Sequence, residues 1–160
     1  MFFHLFLIGS CGPPDKPVDF NAGEHQCSHC KMGINDMRFK AEAITQKGKI
    51  YRFDSIECLA SWSMENEQTI PLSSAWVGNF LKQGEWIDVN KAIFLYSQKL
   101  HSPMGAGLSA YKLESEFNEA QKIYGGDKMD YSALKVFIAR NQKISSNSEI
   151  NSASTVHGHN

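Results

Sequence analysis

The densest concentration of reactive side chains is an eight-residue stretch, His25-Gln26-Cys27-Ser28-His29-Cys30-Lys31-Met32. Two thiols stand three positions apart, two histidines alternate around them, and a thioether follows. Thiolate and thioether sulfur are soft donors that suit Cu(I), whereas imidazole accepts several metals. A Cys-x-x-Cys pair has three common uses. Structural zinc needs four ligands in a closed tetrahedron, and no second Cys-x-x-Cys or His pair follows at zinc-finger spacing. A redox pair needs a helix N-terminus to lower its thiol pKa, usually after a strand, while the flanks here are polar and turn-rich. Cu(I) carriage asks for only two or three soft ligands. The three uses stay open, with soft-metal binding fitting the flanks best. If residues 27–32 are extended, Cys30 and Met32 point to one side, because strand side chains alternate.

Further donors lie along the chain. Leu100-His101-Ser102-Pro103-Met104-Gly105-Ala106-Gly107 reads as an irregular loop, so Met104 is either a ligand or a plug at the edge of a core. His101 is a weaker candidate, since a lone loop histidine is usually just solvated. Cys58 sits among Ile56, Leu59 and Ala60; it is a small buried core residue or a further thiolate for the same metal. His157 and His159 lie in a tail that holds no geometry and read as nonspecific metal binders.

These donors need elements to position them. Residues 39–53 alternate around a turn at Gln46-Lys47-Gly48-Lys49 and read as a β-hairpin. Asp54-Ser55 supplies a helix cap, with Glu57 completing a capping box. Ile56, Leu59 and Ala60 then recur at helical spacing, predicting a helix over 55–66. Short strands follow near Ala75–Val77 and Glu85–Val89. The second half repeats the scheme: a strand from Lys91-Ala92 to Gln98-Lys99, an aromatic-ended segment at Tyr111, and a helix from Leu113 to Tyr124. That helix is stopped by Gly125-Gly126. A strand near 128–131 and a short helix over 133–139 complete the expectation of an α+β fold built from tandem ββαβ repeats. The lobes fall at about 25–90 and 91–140. From Asn141 the Asn- and Ser-rich composition suggests a disordered tail over 141–160.

At 160 residues the chain can bury a real core, and its net charge of -1 excludes the basic footprint of a nucleic-acid binder. No 18-residue apolar run exists, so no membrane-spanning helix is expected. Residues 1–10 nevertheless read as a lipoprotein signal. An apolar run ends in Gly9-Ser10-Cys11, where Cys11 would become the lipidated first residue, although the basic residues of a usual signal are missing. Gly12-Pro13-Pro14-Asp15-Lys16-Pro17 continues neither helix nor central strand, and residues 11–24 read as a tether. With Cys11 lipidated, three thiols remain, an odd number that does not suggest a disulfide framework.

Taken together, these pieces resemble the NosL family, the copper-binding accessory lipoproteins of nitrous oxide reductase. The resemblance rests on Gly9-Ser10-Cys11, on Cys27-Ser28-His29-Cys30-Lys31-Met32, and on Phe53-Asp54-Ser55-Ile56-Glu57-Cys58-Leu59. It implies a tandem ββαβ fold shaped like an organomercurial lyase domain without that lyase's activity. It also implies a Cu(I) carrier, not an enzyme, anchored by lipid and facing the periplasm. Its implied partners are apo-nitrous oxide reductase and an ABC-type membrane maturation complex. Carried onto this chain, the implied metal ligands are Cys30, Met32 and Met104, with Cys27 or a histidine completing the site; His29, Cys58 and His101 are the further candidates. Two other readings compete: a periplasmic thiol–disulfide oxidoreductase using Cys27 and Cys30, and a metal-storage or sensing lipoprotein.

Overall fold

A computed structural model describes the backbone of residues 15–154 and the side chains of 15–143. The lipidation candidate Cys11 and the tail histidines His157 and His159 lie outside the described residues.

The first repeat begins with a hairpin of β1 (Ala41–Thr45) and β2 (Ile50–Phe53), closed by a turn in which Gly48 has φ 79°. Helix α1 (Ile56–Asn66) follows directly, and β3 (Leu72–Gly78) returns antiparallel to β1. With β4 (Trp86–Asp88) on the edge, the sheet runs β2-β1-β3-β4. The second repeat uses the same plan: β5 (Ile93–Tyr96), β6 (Leu108–Tyr111), α2 (Glu114–Tyr124) and β7 (Asp127–Met129), in the order β6-β5-β7. The tandem ββαβ architecture is therefore present, each half placing its first strand in the middle.

The two halves do not fold apart. Phe53, Ile56 and Leu59 of the first repeat pack in one core with Phe94 and Leu108 of the second. Alternation along β5 splits its side chains: Phe94 enters this shared core, while Leu95 joins Phe39, Tyr111 and Phe117 under α2. Fully burying each such side chain contributes about 1.5–3 kcal/mol, so the junction between repeats is a cohesive part of the molecule.

Three segments differ from expectation. The tether expected over 11–24 gives way to packed chain by Val18, whose amide donates to buried Glu42 Oε1 (2.9 Å). Lys40 Nζ lies 3.3 Å from Asp19 Oδ1 and 3.9 Å from the Trp86 ring centroid, and Phe20 is buried. Those contacts give Glu42 of β1, and Lys40 just before the strand, their partners. The α1 cap is Ser55 rather than Asp54, its hydroxyl accepting from the Cys58 amide (3.2 Å). Lastly, α3 runs Tyr131–Ser154, beyond the short helix expected at 133–139 and past Asn141. Leu134 and Ile138 anchor it in the core, and Gln142 Nε2 donates to Ser61 Oγ of α1 (2.7 Å). Once anchored, a helix propagates at one hydrogen bond per residue fixed. Among the described residues no helix is long and apolar enough to cross a membrane.

Candidate metal centre

The Cys-x-x-Cys segment is a closed turn, not the extended run that would align Cys30 with Met32. The Cys27 amide donates to the Met32 carbonyl (2.7 Å) and the Lys31 amide to the Cys27 carbonyl (3.0 Å). Lys31 adopts φ 68°, a left-handed conformation that costs an L-residue roughly 1–2 kcal/mol; its Nζ donates back to the Ser28 carbonyl (2.7 Å). The turn is fastened to β2 at both sides of one residue: Ser28 N to Arg52 O (2.7 Å) and Arg52 N to Ser28 Oγ (3.2 Å). That fastening carries Cys27 and Cys30 to the end of β2, where α1 begins.

There the donor atoms of Cys27, Cys30, Asp54 and Cys58 all lie within 4.8 Å of one another. Cys27, Asp54 and Cys58 are buried and Cys30 is partly so; all three cysteines are free thiols. Because Ser55 takes the capping role, the Asp54 carboxylate is released toward the sulfurs. Cys30 Sγ donates to its Oδ2 (3.4 Å), while Oδ1 is buried without a hydrogen-bond partner. A buried carboxylate oxygen with acceptor capacity to spare, beside three thiols, suits a cation as a partner. The sulfurs differ in acidity. Hydrogen bonding from the Cys58 thiol, aided by backbone N–H groups, lowers Cys27 to about 6. The same bond, together with burial, pushes Cys58 well up. Burial, with the Cys27 thiolate adding to it, raises Cys30 to about 11. The apo site thus holds one thiolate and two thiols near neutral pH.

The remaining candidates stand around this cluster. His29 and Met104 line a cavity of about 620 Å³ that reaches Cys58; Met32 and His101 line a second, of about 290 Å³, that reaches Asp54. Met32 and Met104 are 47% and 45% exposed, so neither is core filler. The loop carrying His101 and Met104 is held by a residue that spacing alone assigned to a capping box. Glu57, buried on α1, accepts from Ser102 Oγ (2.5 Å) and from the Ala106 amide (3.3 Å), and Ser102 Oγ accepts from the Gly107 amide (3.0 Å). Replacing Glu57 with alanine leaves the buried Ser102 hydroxyl without its acceptor, at about 1–3 kcal/mol, and releases the half-buried Ala106 amide. Amide exchange at Ala106 should then accelerate by about tenfold or more; unchanged protection there would refute the clasp.

Asp54 is the residue that sequence reasoning missed as a metal donor. Its signal was its place: the last residue before the cap of a helix that enters directly from a hairpin strand.

A largely buried group of three thiols and one carboxylate, set where two ββαβ repeats join, defines a small α+β protein with a soft-metal type of site. The chain belongs to the NosL family, whose sequence model matches residues 17–136. In three dimensions it is similar to the crystal structure of the copper chaperone NosL from Shewanella denitrificans, with a TM-score of 0.64 at 20% identity, covering 75% of this chain and 96% of that one. No curated protein matches the chain significantly.

Proposed function

We propose that this protein is a Cu(I) carrier and not an enzyme. It works by ligand exchange and supplies copper to apo-nitrous oxide reductase by way of an ABC-type membrane maturation complex. In this reading Cys11 bears the lipid that anchors the chain to the membrane, facing the periplasm, with the anchor as its only membrane contact. The observation that carries the proposal is the convergence of Cys27, Cys30 and Cys58 beside Asp54. Family membership and the fold shared with a protein described as a copper chaperone support it.

Three thiolates suit Cu(I), which is satisfied by two or three soft donors. A resident zinc ion could use all four donors, but structural zinc sits in a closed shell. Here one cavity reaches Cys58 and another reaches Asp54 beside it, which leaves the cluster open to incoming ligands. Thiolates supply affinity; the neutral thioethers of Met32 and Met104 bind more weakly and assist the handover. One observation favours a second reading. The depressed Cys27 thiol is also what a thiol–disulfide exchanger would use, although its Cys-x-x-Cys lies in a turn instead of at a helix start.

Metal analysis of protein purified without oxygen should find about one copper per chain, held against a competing chelator by deprotonated thiols. Tightly bound zinc without copper would overturn the carrier reading. So would wild-type copper affinity in all three of the Cys30→Ser, Met32→Leu and Met104→Leu variants. Reversible oxidation of Cys27 with turnover on a disulfide substrate would favour the exchanger.

A further inference from the structure

The two loops that meet at the cysteine cluster carry one spacing. His29-Cys30-Lys31-Met32 comes from the first repeat and His101-Ser102-Pro103-Met104 from the second, each a His-x-x-Met. The two members of each loop line different cavities beside the cluster. His29 goes to the larger cavity and Met32 to the smaller; Met104 goes to the larger and His101 to the smaller. Each cavity is therefore furnished with one imidazole and one thioether, one from each repeat. Each also touches the cluster through a different member, Cys58 in the larger and Asp54 in the smaller. Met32, His101 and Met104 are exposed, and His29 is half-buried with its Nδ1 3.5 Å from Glu65 Oε2, leaving Nε2 as the remaining ring donor.

We propose that the cluster exchanges its ion through two separate faces, His29–Met104 on the Cys58 side and His101–Met32 on the Asp54 side. The inference rests on the Cu(I)-carrier reading. A two- or three-coordinate Cu(I) ion can accept a new soft ligand before it loses an old one. An incoming sulfur or nitrogen lone pair forms one bond to copper, and one copper–cysteine bond breaks. The released thiolate keeps its electron pair and takes a proton from water, and copper stays in the +1 state throughout. Two faces let a donor and an acceptor address the same ion without competing for one opening. The larger cavity lies within the usual range for ligand sites.

The test uses the copper-loaded full chain and cyanide, a Cu(I) ligand small enough for either face, with transfer followed by stopped flow. Gln142→Trp narrows the larger cavity from an exposed rim position, and Asn35→Trp narrows the smaller from another. Parallel routes predict that each variant alone slows transfer about twofold, while the double variant slows it about tenfold or more, beyond the product of the single effects. Effects that merely multiply, or a slowdown confined to one variant and its double, would overturn the two-face arrangement. Ala106→Leu, also on the larger cavity, repeats the test if Gln142→Trp misfolds. A wild-type chain that retains no Cu(I) sinks the carrier reading and this inference with it. A loaded wild type with multiplicative effects sinks the inference alone.

Discussion

Replacing Cys58 with serine should weaken Cu(I) binding by more than about a hundredfold, beyond the 10–100-fold that loss of an outer-shell partner costs. Burial alone gives this cysteine a structural role, since it is 1% exposed and lies in the core among Ile56 and Leu59. Its sulfur, however, lies within 4.8 Å of the donor atoms of Cys27, Cys30 and Asp54. Serine keeps the size of the side chain and a hydroxyl that can donate to Cys27 as the thiol does. The fold and the Cys27 thiolate therefore survive while one soft donor is lost. Thermal unfolding and a Cu(I) titration against a competing chelator separate the outcomes. Wild-type affinity in Cys58→Ser would remove this residue from the site. A fall in stability without a fall in affinity would return it to the core.

Why Cys58 reads ambiguously in the sequence is itself physical. Helical spacing of Ile56, Leu59 and Ala60 locates α1, and the structure buries all three. Spacing says nothing of what lies opposite Cys58, because position 27 reaches it only through the docking of the Ser28 turn on Arg52. The same limit hid Asp54. Aspartate and serine are both good caps, and only the observed choice of Ser55 leaves the carboxylate facing Cys30. The repeat plan was legible because both halves carry the same punctuation, a hairpin turn followed by an aromatic strand end and a helix. The extended reading of 27–32 failed because Lys31 takes a left-handed conformation, which favours glycine and is uncommon for lysine. Composition gave no sign that α3 runs past Asn141 to Ser154, where anchoring by Leu134, Ile138 and Gln142 carries the helix onward.

Copper affinity should also depend steeply on pH, and the sign follows from which sulfurs are protonated before the ion arrives. Cys27, lowered to about 6, is already a thiolate above that value, whereas Cys30, raised to about 11, and Cys58, raised further, still carry their protons. Binding by all three sulfurs at neutral pH therefore expels two protons, one each from Cys30 and Cys58. The logarithm of the affinity should rise by about two for each pH unit between about 6.5 and 9. Below about 6 Cys27 must also lose its proton, the slope steepens toward about three, and acid releases the metal. Titrations at several pH values, corrected for the chelator's own protonation, measure the slope; proton release into weakly buffered solution counts the protons directly. In Cys58→Ser the slope above about 6.5 should fall to about one, because a serine hydroxyl has no proton to surrender in this range. A wild-type slope of one would leave a single protonated cysteine as ligand beside Cys27. A slope of zero would mean that neither Cys30 nor Cys58 binds the ion as a thiolate, leaving Cys27 as the only sulfur able to do so.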